Sequence, residues 1–240
     1  MTTHIAMWSG PRNLSTAMMY AFAARGDCAV EDEPFYGAYL AQTGIDHPMR
    51  DAVMSSQPAD HMDVAADCIG PIPGGQPLFY QKHMTLHMLP DWNLSFMQHV
   101  TNVFLIRHPA RVVASYAKKR EAPTLADIGF VQQARLFDEV ADFLGHPPPV
   151  IDSIDIRANP AQALNRLCTA LNIPYTARML HWDRGPKAYD GIWAPHWYNA
   201  VHASTGFEKP EGPLPALKET FADLVDQAMP HYLHLRAFLL

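Results

Sequence analysis

The sequence predicts an α/β protein, a three-layer α/β/α arrangement with helices on both faces of a central, mostly parallel sheet. Three observations lead there. The apolar run His4–Ser9 passes through Gly10-Pro11-Arg12-Asn13-Leu14-Ser15-Thr16 into the helix-forming Ala17–Phe22, which reads as strand, glycine-initiated loop and helix. Val103-Phe104-Leu105-Ile106 is the strongest strand in the chain, and it too is followed by a helix, with Pro109 near the start. A chain of 240 residues, 48% hydrophobic and 18% charged, is long enough for one α/β domain with a sizeable core. Residues 1–240 are therefore read as one domain.

The first helix covers Ser15–Arg25, with Leu14, Met18, Met19 and Phe22 on its apolar face and Gly26 just beyond it. Cys28-Ala29-Val30 forms a second strand, and Glu31-Asp32-Glu33 leaves its carboxyl end. These acids are either a solvated loop or part of a site, because ligands of open α/β sheets sit outside those ends. Pro34 restricts Glu33 to extended backbone. Tyr39–Cys68 reads as short helices, and residues 69–77 as a turn-rich connector. Leu78–Gln81 is the third strand, which sets Lys82 and His83 at its carboxyl end, level with the Gly10 loop.

Beyond the Val103–Ile106 strand, a helix is expected over Ala110–Arg120, closed by the solvated run Lys118-Lys119-Arg120. Leu125, Ile128, Val131, Leu136, Val140 and Phe143 recur at helical spacing and predict one long helix over 125–144. A strand begins at Pro149-Val150-Ile151 and extends toward Ile156. Asn159-Pro160 opens another helix. Residues 178–210 are irregular and rich in aromatics, among them Trp182, Trp193, Trp197, Tyr198 and Phe207. So many rings argue against disorder and for a lid or pocket wall. Residues 214–240 form a last amphipathic helix, interrupted at Pro230. Its Leu233, Leu235, Phe238, Leu239 and Leu240 pack on the core or join two copies as a homodimer.

Composition narrows the function classes. A net charge of -6 argues against a nucleic-acid binder, though not against a local basic site. No stretch approaches the roughly 20 apolar residues that span a bilayer, and no basic segment with an apolar run opens the chain. Cys28, Cys68 and Cys168 are too few and too scattered for a disulfide framework. A cytoplasmic protein without membrane or nucleic-acid partners is expected.

The chemistry-bearing residues lie at strand ends. A glycine-initiated loop at a helix start turns backbone N–H groups toward an anion, and Arg12, Ser15 and Thr16 add a charge and two hydroxyls. The loop lacks the second glycine and the lysine of a Walker A motif, which argues against a magnesium-nucleotide phosphotransferase. Arg107 stands at the end of the strongest strand, with Ser115 eight residues later on the following helix. His83 suits general-base work or is a hydrogen-bonded structural histidine. His83 and His87 are four apart but have no third ligand in the sequence, so no metal is expected.

Together, Ser9–Thr16 and the run Val103-Phe104-Leu105-Ile106-Arg107-His108-Pro109 with Ser115 resemble the sulfotransferase family. The resemblance covers residues 4 to about 120. It implies a fold similar to P-loop NTPases, and 3′-phosphoadenosine 5′-phosphosulfate as sulfuryl donor. In that reading Gly10, Pro11, Arg12, Asn13, Leu14, Ser15 and Thr16 receive the 5′-phosphosulfate. Arg107 and Ser115 receive the 3′-phosphate, at the far end of the nucleotide from Arg12. Many members carry a Lys-Thr-His-Leu-Pro segment whose His is the base; here the stretch is Gln81-Lys82-His83-Met84, one residue shorter between Lys and His. Other branches use a Glu beyond the second strand, where Glu33 stands. The implied catalytic set is thus His83 or Glu33 as base, with Lys82 and Arg12 as cations. Lys187, near Gly185-Pro186, is a further candidate for the cofactor. The acceptor is a small molecule bearing a hydroxyl or amine. Two other readings stay open: a P-loop kinase, and a non-catalytic nucleotide-binding protein.

Overall fold

The computed structural model describes residues 2–118 and 122–240. Strands β1 (Thr3–Ser9), β2 (Cys28–Asp32), β3 (Leu78–Met84), β4 (Thr101–Ile106) and β5 (Val150–Asp152) form one sheet in the order β2-β3-β1-β4-β5. Every pairing is parallel. The first helices are α1 (Ser15–Ala23), α2 (Tyr36–Thr43), α3 (Arg50–Ser56), α4 (His61–Ile69), α5 (Pro109–Tyr116) and α6 (Leu125–Ile128). They are followed by α7 (Phe130–Leu144), α8 (Ser153–Ala158), α9 (Pro160–Ala170), α10 (Ala194–Trp197), α11 (Asn199–His202) and α12 (Ala222–Arg236).

Strands with helices on both faces need apolar side chains on both sides. In β1, Met7 packs with Met18 and Phe22 of α1 and Leu164 of α9. Its neighbour Trp8 packs on the other face with Val113 of α5, Phe137 of α7 and Leu235 of α12. The predicted three layers therefore follow from alternation along the central strand.

Several element ends differ from expectation, each for a local reason. The 125–144 helix divides at Gly129, which takes φ 74°. A Cβ there would lie 3.3 Å from side-chain atoms of Leu86 and Pro11, so the break lets the chain pass close to the Gly10 loop. The fifth strand stops at Asp152 because its carboxylate accepts the Ile154 amide at 3.1 Å and caps α8. Helix α12 starts at Ala222 rather than near 214, after the extended stretch that holds Pro213 and Pro215, and it continues through Pro230. Leu235 packs in the core, whereas Leu233 is 52% exposed. Helix α5 ends at Tyr116; the expectation for Lys119 and Arg120 falls outside the described residues.

The third strand runs three residues further than predicted, through Met84, so Lys82 and His83 lie inside it and face opposite sides. Parallel register pairs Lys82 with Asp32 on β2, and His83 with Trp8 on β1. His83 is 1% exposed and stacks on the Trp8 ring at 4.2 Å between centroids. Its Nε2 meets Gln81 Oε1 at 3.1 Å. Burial, with a smaller contribution from His87, pushes its pKa down to about 3.

This placement sets a pH dependence. In the unfolded chain His83 takes up a proton below about pH 6.5, whereas in the folded chain it stays neutral until far lower pH. The unfolded state then binds more protons, so stability falls as pH falls from 6.5 towards 3, by up to about 1.4 kcal/mol per pH unit for one such group. Unfolding free energy measured by urea titration should drop between pH 7 and pH 5, and His83→Gln should flatten that drop. An equal slope in the variant would show that His83 is not the group responsible.

Candidate functional site

The loop between β1 and α1 has a strained, specified shape. Arg12 and Leu14 adopt φ 65° and 74°, in the left-handed region that side chains rarely occupy. Asn13 is 1% exposed and donates from Nδ2 to the Leu105 carbonyl at 3.2 Å, fastening the loop to β4. A Cβ at Gly10 would approach the Ile128 carbonyl at 3.1 Å. Gly10 and Asn13 thus shape the loop, while Pro11, Arg12, Leu14, Ser15 and Thr16 line a cavity of about 940 Å³. Ser15 and Thr16 open α1, and the first amides of a helix have no intrahelical partners.

Arg107 and Ser115 line the same cavity. Arg107 donates to the Arg12 carbonyl at 2.8 Å, and Arg12 Nε donates to Ser115 Oγ at 2.9 Å. The two arginines, expected at opposite ends of a nucleotide, are neighbours here. Burial and the nearby Arg107 charge lower the Arg12 pKa. Arg107 also pairs with the Glu211 carboxylate, which lies 2.9 Å from Arg111 Nε and 3.4 Å from Arg157 Nη1.

Lys187 does not join them. Its ammonium donates to the Asp183 carbonyl at 2.7 Å and lies 5.8 Å from the Tyr20 ring centroid, and Lys187 is absent from the cavity wall. The turn it belongs to is closed by Asp190, which accepts the Lys187 amide at 2.8 Å and the Tyr20 hydroxyl at 2.8 Å. His83 is likewise absent from the cavity wall, being turned to the apolar side of the sheet.

Lys82 and Glu33 do face the cavity. The Lys82 ammonium meets Asp32 Oδ1 at 2.7 Å, Glu33 Oε1 at 2.5 Å and the Tyr198 hydroxyl at 2.6 Å. Three partners match its three donors, so Lys82 holds the carboxylates in place rather than reaching into open space. Burial opposes its charge, but Asp32 and Glu33 outweigh burial and raise its pKa. Asp32 is fully desolvated, which raises its pKa, with Lys82 pulling the other way. Glu33 takes φ 48° although it precedes Pro34. Its amide donates to the Lys82 carbonyl at 2.8 Å, and its carbonyl accepts from Gln57 Nε2 at 3.1 Å. A left-handed glutamate held at a strand end is a conformation that surrounding structure must impose.

The sequence does not mark Tyr36 for this site, pairs His87 only with His83, and leaves Asp32 as one of three undistinguished acids and Tyr198 as one ring of the aromatic segment. His87 lies between the rings of Tyr36 and Tyr39, at 4.5 and 5.0 Å between centroids, and its Nε2 is 4.0 Å from Glu33 Oε2. Burial, then His47 and Lys82, push its pKa well below that of an ordinary histidine, so the ring is neutral at pH 7. The one sequence signal for it is the ending His87-Met88-Leu89-Pro90, where a histidine again precedes Leu-Pro. The aromatic segment forms a wall: Trp193, Trp197, Tyr198 and Phe207 line the cavity. It is fixed to the sheet through Asp32, which accepts the Gly191 amide at 2.9 Å and the Tyr198 hydroxyl at 2.7 Å. Among the described residues, no three His, Cys, Asp or Glu side chains cluster to hold a metal ion, and no helix is long and apolar enough to cross a membrane.

The chain is 35% identical over 235 residues to branched-chain-amino-acid aminotransferase-like protein 2 of Arabidopsis thaliana, covering 98% of this chain and 42% of that protein. It is 36% identical over 233 residues to the corresponding protein 1, covering 97% and 41%. The chain thus spans about two fifths of the length of these relatives. Among solved structures, the fold matches a sulfotransferase domain from the curacin biosynthetic pathway with a TM-score of 0.54 at 16% identity, over 95% of this chain and 98% of that one. It also matches a sulfotransferase from Alicyclobacillus acidocaldarius with a TM-score of 0.56 at 11% identity, over 99% and 95%. The family model for the sulfotransferase domain matches residues 3–238, and the chain belongs to that family.

Proposed function

We propose that this sulfotransferase uses 3′-phosphoadenosine 5′-phosphosulfate as donor and carries the sulfuryl group to a hydroxyl or amine of a small molecule. The observation that supports this most is the convergence on one cavity of the Pro11–Thr16 loop, Arg107 with Ser115, and Glu33 with Lys82. The residues suit a nucleotide with two anionic ends. Among the described residues the buried Arg107 Nε has no hydrogen-bond partner, so a donor remains for a further anion. A cavity of about 940 Å³ is at the upper end of the range for nucleotide- and drug-sized ligands.

Sulfuryl transfer, like phosphoryl transfer, depends mainly on positioning and on stabilising charge. The first amides of α1 with the Ser15 and Thr16 hydroxyls would bind the sulfate end, and Arg12, whose Nε holds Ser115 Oγ, would join Arg107 and Ser115 at the 3′-phosphate. The donor supplies the sulfuryl group when bound. Glu33 is the base in this reading: its carboxylate lines the cavity beside the loop and is fixed by Lys82. It takes the proton of the acceptor hydroxyl or amine as the acceptor attacks. The neutral His87 ring stands beside that carboxylate, its Nε2 4.0 Å from Glu33 Oε2, beyond hydrogen-bond distance. Tyr36, Tyr39, Trp193 and Trp197 form the acceptor wall, with ring faces for an apolar body.

Isothermal titration with 3′-phosphoadenosine 5′-phosphate should show micromolar or tighter binding that does not need magnesium. Arg107→Ala should weaken it by about 10-fold or more, the loss of one charge-assisted contact. Magnesium-dependent ATP binding with none of the 3′-phosphorylated nucleotide would instead favour the kinase reading.

Once an acceptor is in hand, Glu33→Gln should lower kcat by about 100-fold or more, the usual contribution of a general base. His87→Asn should cost less, and His83→Gln should leave kcat near wild type. Full activity in Glu33→Gln would remove Glu33 from the role, and a larger loss in His87→Asn would transfer it to His87.

A further inference from the structure

The most concentrated charge outside the Lys82 network is an ionic knot beside the cavity, of which the foregoing roles use Arg107 alone. The Glu211 side chain is 2% exposed and pairs with Arg107, Arg111 and Arg157. Three guanidinium groups around one carboxylate leave positive charge in excess. Glu208, whose side chain is 60% exposed, offsets part of it through Arg157 at 2.9 Å. Among the described residues Arg107 Nε is buried without a hydrogen-bond partner, and Arg111 Nε and Glu211 Oε2, 2.9 Å apart, form an ion pair that is not aligned as a hydrogen bond. The carboxylate therefore satisfies the three arginines incompletely. A phosphate group offers more acceptor oxygens and about two negative charges.

The chain that delivers Glu211 is suited to leaving. Residues 207–218 carry no helix or strand and include Pro210, Gly212, Pro213 and Pro215. Between Phe207, which packs on Trp182, and Leu217, which packs on the core, the anchors are the arginines: Arg157 donates to the Lys209 carbonyl at 2.8 Å, and Arg111 donates to the Gly212 carbonyl. Arg107 and Arg157 both line the cavity, so a ligand there reaches two of the three guanidinium groups that Glu211 holds, while Arg111 and Glu211 stand behind that wall.

We propose that Arg111 and Arg157 join Arg107 in a single anion site that Glu211 fills in the free protein, and that a ligand phosphate binds by exchanging with the Glu211 carboxylate. The inference rests on the donor reading above in taking that phosphate to be the 3′-phosphate of the nucleotide. The segment 208–215 is then a strap, closed on the arginines before binding and released by it. Apparent affinity is reduced by the fraction of molecules in which the strap is closed.

Glu211→Gln removes the competing charge and keeps the side chain's shape. Calorimetry should show 3′-phosphoadenosine 5′-phosphate bound about 10-fold more tightly by Glu211→Gln than by wild type, with adenosine 5′-monophosphate, which lacks the 3′-phosphate, unchanged. Arg157→Ala should weaken the 3′-phosphorylated nucleotide alone. Equal or weaker binding by Glu211→Gln would make Glu211 a structural brace and overturn the proposal. If that variant does not fold, limited proteolysis of the wild type decides: cleavage after Glu211 should be faster with saturating nucleotide, and unchanged or slower cleavage overturns the exchange model. If wild type binds no 3′-phosphorylated nucleotide, the donor reading fails, and inorganic phosphate tests the strap separately. A larger rise in Tm for Glu211→Gln than for wild type supports it, and an equal rise refutes it.

Discussion

The site depends on one buried ion pair, Lys82 with Asp32. Both residues are at most 5% exposed, and their strands are hydrogen-bonded neighbours with these two residues in register. Taking two such charges out of water costs several kcal/mol each, which good geometry and further hydrogen bonds must offset. The further bonds are present: Asp32 also accepts from Gly191 and Tyr198, and Lys82 also binds Glu33 and Tyr198. Removing either partner leaves an uncompensated charge, a loss of about 3–5 kcal/mol for buried pairs. The pair thus orders three elements at once: the end of β2, β3 and the aromatic segment.

Cavity shape follows from that constraint. The aromatic segment has little regular structure to hold it, only α10, α11 and one isolated bridge between His181 and Gly206. Its order comes from carboxylates. Asp32 takes the Gly191 amide, while Asp190 takes Tyr20, His202 and the Lys187 amide. Trp193 then packs edge-on against Tyr36 at 5.1 Å and closes one side of the cavity. A chain with net charge -6 therefore spends some of its acids on fixing a wall and concentrates its arginines at the opposite end.

Much of this was legible from the sequence where local rules act alone. The strand–loop–helix at Gly10 and the Arg107–Ser115 spacing identified two parts of the cavity wall. Amphipathic periodicity located the core helices, because the 3.6-residue period is a property of the chain itself. Errors arose where a neighbour decided. The 125–144 periodicity continues across Gly129, but the break there makes room for Pro11 and Leu86. Lys187 lay close to a glycine and proline that suggested a loop over the cofactor, yet its ammonium turned to the Asp183 carbonyl.

The sequence alone determined the α/β class, the alternation of strands and helices, and the strand–loop–helix at Gly10, since apolar runs, glycine and proline act within a few residues. Only the tertiary structure decided which side chains share the cavity. Extending β3 to Met84 sent His83 to the Trp8 side of the sheet and Lys82 to Asp32, because successive side chains of a strand point to opposite faces. It also brought His87, Tyr198 and Glu211 to groups distant in sequence. Contacts of that kind depend on register and on packing between elements, which no local pattern encodes.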